Sequence, residues 1–188
     1  MRISTAEFVA IMAMLVATVA ISIDGLLPAL SIIAKELTPL RPNNAQIILS
    51  SFVAGMAIGT LIVGPLSDSY GRKPIIYGGA FIYILTSVVC VVSQSLELIL
   101  VARFLQGVGA SAPRVVAQAL VRDFYKGREM ARISSFIMIV FALVPAVAPL
   151  LGSFVMFAFD WRAIFFMFIA FVAISTIWMG LRINETIS

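Results

Sequence analysis

Long apolar runs, broken at short intervals by polar turns, constrain this chain more than any other feature of its sequence. A helix needs roughly 20 mostly apolar residues to cross a bilayer. Six stretches approach or exceed that length, at about 8–34, 45–66, 74–92, 98–120, 133–159 and 163–181. Of the 188 residues, 62% are hydrophobic and only 12% are charged. A soluble domain is nearer half apolar and a quarter charged. So much apolar surface cannot be hidden within a domain of this length. Lipid must solvate much of it, and the chain is expected to be one all-α membrane domain, residues 1–188, built as a six-transmembrane-helix bundle.

The formal net charge of +4 raises the question of a nucleic-acid partner. The placement of the charges answers it, because the basic residues sit mostly in short segments between apolar runs. With the N-terminus inside, the inner segments hold Arg2, Arg72, Lys73, Arg122, Lys126, Arg128, Arg132 and Arg182. The outer ones hold Lys35, Arg41 and Arg162. Cytoplasmic loops carry the excess of Lys and Arg, so both termini are expected in the cytoplasm. Arg103 and Arg114 interrupt span 4, yet omitting that span would erase the asymmetry. The chain begins Met1-Arg2 and runs into its first apolar stretch with no small-residue cleavage site, which reads as a retained span.

Chemistry is restricted by what is missing. There is one cysteine, Cys90, and no histidine. That excludes an intramolecular disulfide, a cysteine metal cluster and imidazole bases or ligands. No Gly-x-Ser-x-Gly elbow is present. The expectation is a protein that is not an enzyme, with no catalytic residues, no metal and no cofactor.

The charges inside spans are the informative ones. Asp24, Arg103 and Arg114 would each cost about 2.5–3.5 kcal/mol facing lipid, so they should face the bundle interior or a wet cavity. Arg103 and Arg114 are eleven residues apart, close to three turns, and share a face with Gly107, Ala110 and Ala117. Asp24 and Arg103 both fall toward the outer half of the membrane, where they could meet or bracket one cavity. A proton or substrate site and a structural ion pair are the two readings. Between spans 2 and 3 runs Gly64-Pro65-Leu66-Ser67-Asp68-Ser69-Tyr70-Gly71-Arg72-Lys73-Pro74. Gly71 gives this turn its backbone freedom. Asp68 is placed to accept from a neighbouring helix N-terminus, where the dipole favours an anion. Span 5 carries Pro145, Pro149 and Gly152 on one face, expected to bend and to admit a close neighbour. Gly55 and Gly59 read as helix packing. Trp161 and Trp178 suit interfacial aromatic belts.

The loop just quoted resembles the signature of the major facilitator superfamily, Gly-x-Leu-Ala-Asp-x-x-Gly-Arg-Lys, with Gly64, Leu66, Asp68, Gly71, Arg72 and Lys73 matching and Ser67 replacing the alanine. Arg103-Phe104-Leu105-Gln106-Gly107-Val108-Gly109 is similar to the superfamily's helix 4 motif. Asp24-Gly25-Leu26-Leu27-Pro28 resembles the helix 1 motif of drug/proton antiporters. Arg122-Asp123 with Tyr125, and Ala148-Pro149-Leu150-Leu151-Gly152, resemble the bicyclomycin/chloramphenicol-resistance (Bcr/CflA) group of bacterial efflux proteins. The helix 5 motif of antiporters usually reads Gly-Pro followed by Gly-Gly, and here Ala148 and Ser153 depart from it.

The resemblance implies the N-terminal domain of the major facilitator fold, a 3+3 inverted repeat. A faint echo between spans 2 and 5, each with Gly and Pro and each followed by Asp and then Arg, suits such a repeat. It implies proton-coupled multidrug efflux, and hence antibiotic resistance, at the bacterial inner membrane. Asp24 and Arg103 would serve proton coupling and substrate. Asp68, Arg72 and Asp123 would form a cytoplasmic charge cluster, and helix 5 would line the interface with a second six-helix domain. The expected partners are lipid, protons, a drug-like small molecule and that second half, as a separate chain or a second copy. A truncated or split transporter, a homodimeric half-transporter, and a non-transporting protein that regulates a full transporter remain the competing readings.

Overall fold

The computed structural model describes residues 3–37 and 45–185, and nearly all of them are helical. Arg2 and Arg41, two of the charges used to orient the chain, lie outside the described residues, as does most of the connector expected at Lys35–Pro42. Helix α1 (Thr5–Asp24) starts at Ser4, whose hydroxyl accepts from the Glu7 amide. That cap satisfies one of the free N–H groups of the first turn. The predicted first span is not one straight helix. It breaks at Gly25, passes through a 3₁₀ turn (Leu27–Ala29) and resumes as α2 (Leu30–Leu37). Pro28 in that turn lacks the N–H an α-helix needs and disfavours helical geometry in the residue before it.

The remaining helices are α3 (Ile47–Tyr70), α4 (Arg72–Val92), α5 (Leu96–Phe124), α6 (Gly127–Ala158) and α7 (Ala163–Arg182). With α1 and α2 counted together, six elements are long and apolar enough to cross a membrane. The described residues contain no strand. The turns are shorter than hydropathy suggests. Helix α3 runs on through Ser67, Asp68 and Ser69, and only Gly71, with φ 94°, leaves helical geometry before α4 begins. Likewise the charged segment Arg122–Arg132 is helical except at Tyr125 and Lys126. Hydropathy marks where the apolar stretch stops, whereas a helix continues into water on side chains whose stems are apolar and whose heads are charged.

Glycines set the packing. Helix α5 lies between α3 and α4. A Cβ at Gly55 would run into the Phe104 carbonyl, and one at Gly107 into the Phe52 carbonyl. Gly79 of α4 and Gly109 of α5 sit carbonyl to Cα in the same manner. Small residues let helix backbones approach where lipid supplies no hydrophobic drive for association. Helix α1 is the most enclosed element, packed on α5, α6 and α7. Helix α6 is the least enclosed, with Leu143, Leu150, Phe154 and Phe157 turned outward. Ile133, Ile137, Ala148 and Gly152 are its buried exceptions. Gly152 is pressed so closely on the Gly25 carbonyl that no side chain fits there. The predicted close approach on span 5 is therefore made at the break in span 1. Pro145 is exposed and Pro149 only half-buried.

Candidate functional site

Two arginines organise the polar residues of the bundle. Arg103, from the second turn of α5, is fully buried. Its Nη1 donates to Gln106 Oε1 at 2.6 Å and its Nη2 to the Ser22 carbonyl of α1 at 2.9 Å. The guanidinium carbon stands 4.3 Å from the centroid of the Phe52 ring of α3. Gln106 then donates to Ser87 Oγ of α4, whose hydroxyl donates to the Tyr83 carbonyl. The Tyr83 and Ser22 hydroxyls bond each other. One buried network thus joins α1, α3, α4 and α5.

No carboxylate takes part. Arg103 forms no ion pair among the described residues, and its Nε has no partner. Carbonyl dipoles and an aromatic face stand in for a counter-ion. The expected meeting of Asp24 and Arg103 is not seen. Asp24, the last residue of α1, is half-buried with no hydrogen bond or ion pair among the described residues. The Ser22 carbonyl takes the place beside Arg103 that Asp24 was expected to take, because a residue two positions on points to another face of the helix. Arg114 is half-buried and reaches only the Met56 sulfur, at 3.4 Å. The predicted face of α5 nevertheless exists: Arg103, Gly107 and Arg114 all meet α3, at Phe52 and Met56.

At the far end of the bundle, Arg72 is held by acids. Its Nη1 donates to Asp68 at 2.6 Å and to Ser67 Oγ at 2.8 Å, and its Nε to Asp123 at 3.0 Å. Asp68, Arg72 and Asp123 are therefore brought together, as the resemblance implies. Asp68 has a different job from the one expected of it. It does not cap a neighbouring helix; Glu185 does. The Glu185 carboxylate accepts from the backbone N–H groups of Arg72 and Lys73, both at 2.9 Å, at the start of α4. A carboxylate is favoured there by the unpaired amides and the helix dipole. Glu185 also lies against Gly71, where a Cβ would stand 3.2 Å from its carboxyl group. Lys73 Nζ donates to the Gly180 carbonyl of α7 at 2.8 Å. Gly64 has open space around it.

Two clamps tie span 1 to α7. At the Arg72 end, Arg182 and Trp178 donate to the Glu7 carboxylate. At the opposite end, Glu36 accepts from Trp161 Nε1 and from Arg162, both at 2.7 Å, and Arg162 also pairs with Asp160 at 3.1 Å. The Glu36 carboxylate holds the Arg162 guanidinium still more firmly protonated than usual. Trp161 is 1% exposed, so it is a buried clamp and not an interfacial belt residue. The indole N–H found an acid where a belt tryptophan would find headgroups.

Sequence reasoning did not single out Ser22, Tyr83, Ser87, Gln106, Glu36 or Glu185. Gln106 stood in a recognised motif, and an acid placed just after a last span was a signal for Glu185. The others offered none. Among the described residues no group of His, Cys, Asp or Glu is arranged to hold a metal ion.

The family model described as Major Facilitator Superfamily matches residues 10–186. An uncharacterised MFS-type transporter of Bacillus subtilis, YdgK, is 36% identical over 170 residues, covering 89% of this chain and 42% of that protein. The bicyclomycin resistance protein homolog of Haemophilus influenzae is 40% identical over 144 residues, covering 77% of this chain and 36% of the relative. The multidrug resistance protein MdtL of Escherichia coli O157:H7 is 39% identical over 145 residues, covering 76% and 36%. The chain thus spans about two fifths of the length of these curated relatives. Among solved structures, the human organic anion transporter MFSD10 superposes with a TM-score of 0.76 at 16% identity, covering all of this chain and 49% of the other. A peptide transporter, POT, gives 0.76 at 15% identity, covering 92% of this chain and 37% of the other.

Proposed function

We propose, from the premise that this chain belongs to the major facilitator superfamily, that it forms one six-helix half of a proton-coupled multidrug efflux transporter. The observation that carries this reading is the 40% identity with the bicyclomycin resistance homolog. The reading places the chain in a bacterial inner membrane with both ends cytoplasmic, in keeping with the Lys and Arg bias of its connectors. The Arg72 end is then the cytoplasmic one. A second six-helix half completes the cavity, and helix α6, which leaves most of its apolar surface outward, faces that half.

Within this reading Asp24 is the proton carrier. It is an acid inside a span with no partner among the described residues, so it can gain and lose a proton without dismantling a salt bridge. It precedes Gly25, whose carbonyl is pressed on Gly152 of α6, so movement of α6 acts on its immediate neighbour in the chain. Arg114, on the α3-facing side of α5, belongs to the substrate region. Asp68, Arg72, Lys73 and Asp123, with Gly64 and Gly71 at the turn, form the cytoplasmic gate cluster that closes on the second half. Pro145 and Pro149 lie inside α6 and each removes a backbone donor from its ladder, which makes this stretch the one such closure would bend.

The test is drug efflux from a sensitive bacterium that makes this chain together with a second six-helix half. Cells should retain several-fold less chloramphenicol, and an uncoupler should abolish the difference. Asp24→Asn should remove the uncoupler-sensitive part, and wild-type efflux from that variant would reject its role. Asp68→Asn should slow efflux while the protein still inserts. An assembly that inserts and never moves drug would overturn the transport reading itself.

A further inference from the structure

A groove of about 250 Å³ opens between α5 and α6 and is floored by α1, near the Arg72 end. Its polar side is made by Gln118 and Arg122 of α5 and Ser134 of α6, and its apolar side includes Val16, Met130 and Met138. We propose that this groove is a binding site for small amphipathic organic anions, with Arg122 taking the carboxylate or sulfonate and the methionines taking the apolar body. The proposal rests on the transport reading only in regarding the occupant as cargo, since the site itself lies wholly within this chain.

Charge decides the ligand class. Among the described residues, Arg122 is the only charged one lining the groove. The acid next to it in sequence, Asp123, is engaged by Arg72 Nε at 3.0 Å. The segment Arg122–Arg132 carries four basic residues, Arg122, Lys126, Arg128 and Arg132, against two acids, Asp123 and Glu129. A guanidinium remains charged at any working pH and presents a planar fork that matches a carboxylate. The Arg122 charge attracts an anion and disfavours a cation at the same position. Gln118 and Ser134 add a second and third donor, which fix orientation. Methionine side chains are flexible and polarizable and accept apolar groups of varied shape. The site is thus strict about charge and tolerant of shape.

The experiment is equilibrium binding of three matched ring compounds to the purified chain in nanodiscs of zwitterionic lipid, with empty discs subtracted. The compounds are 2-naphthoate, 2-naphthylmethanol and 2-naphthylmethylammonium. Naphthoate should bind saturably and at least tenfold tighter than the ammonium compound, with the alcohol between them. Arg122→Gln should weaken naphthoate at least tenfold and lift discrimination against the ammonium compound, while Arg122→Lys keeps most of the affinity. Arg122 is exposed, so the fold should survive, and an unchanged thermal melt checks this. Met138→Ala should weaken all three compounds alike. No saturable naphthoate binding, equal binding of the ammonium compound, or indifference to Arg122→Gln would each overturn the proposal. So would loss of naphthoate binding when phosphatidylglycerol replaces part of the zwitterionic lipid, because a lipid headgroup would then be the occupant. Failure of drug efflux with naphthoate binding intact would count against the transport reading alone.

Discussion

Arg103 and Arg72 are both buried arginines, and they are satisfied by different kinds of partner. Arg103 is fully buried and is satisfied by a carbonyl, an amide oxygen and an aromatic ring. Arg72 lies at the end of the bundle and is satisfied by two carboxylates, one of which, Asp68, has a 68% exposed side chain. The contrast follows from the cost of desolvation. Burying a second full charge beside Arg103 costs several kcal/mol that the attraction regains only in excellent geometry. At the end of the bundle the Asp68 carboxylate keeps most of its contact with solvent, so its own desolvation penalty is small. Arg103 therefore locks helices together, whereas Arg72 belongs to a cluster that can exchange partners with modest energy.

The largest effect should come from breaking the dry cluster. Arg103→Ala strands the Ser22 carbonyl and Gln106 in an apolar interior and leaves a void beneath Phe52. It should destabilise the bundle by about 3–5 kcal/mol, read as lost folded yield and a lower melting temperature in mild detergent. A stable Arg103→Ala protein would show that the network is ornamental. Next in size is Gly107→Ala. Its Cβ would collide with the Phe52 carbonyl, so α3 must retreat from α5 and the ring must leave Arg103. A cost of about 1–3 kcal/mol is expected from such overpacking, again by thermal melt.

Changes at the wet cluster should be smaller and salt-dependent. Glu185→Gln keeps the shape of the cap on α4 but removes its charge, and should cost about 0.3–1 kcal/mol, the range of an anion at a helix N-terminus. Asp68→Asn removes a 68% exposed carboxylate from a buried arginine that keeps Asp123, and should cost about 1 kcal/mol. Raising salt toward 1 M shortens the screening length to about 3 Å. It should erase the Glu185 and Asp68 effects and leave the Arg103→Ala effect untouched. If salt moved all of them equally, the distinction between the two arginines would fail.

Much of this was legible in the residue order. The six spans could be counted because lipid demands a long apolar run, and no alternative packing of this composition avoids lipid. Gly71 was readable as the turn residue because few other residues tolerate its positive φ. Asp68, Arg72 and Asp123 could be grouped only through resemblance to a family pattern. The acceptor of the α4 amides was assigned to the wrong direction of the chain, since Glu185 is 113 positions from Arg72. Trp161 was placed at a lipid interface because sequence shows a tryptophan at a span end and does not show Glu36 opposite it.

The sequence by itself determined the six segments long and apolar enough to cross a membrane, all seen among the described residues, because that fitness depends on transfer of each segment from water to lipid, a property of local composition. The tertiary structure alone decided who partners whom. It gave Arg103 a carbonyl in place of Asp24, left Asp24 without a partner among the described residues, and set Gly152 against the break at Gly25. Those choices depend on which faces of the helices meet, and a rotation of 100° per residue is enough to exchange one neighbour for another.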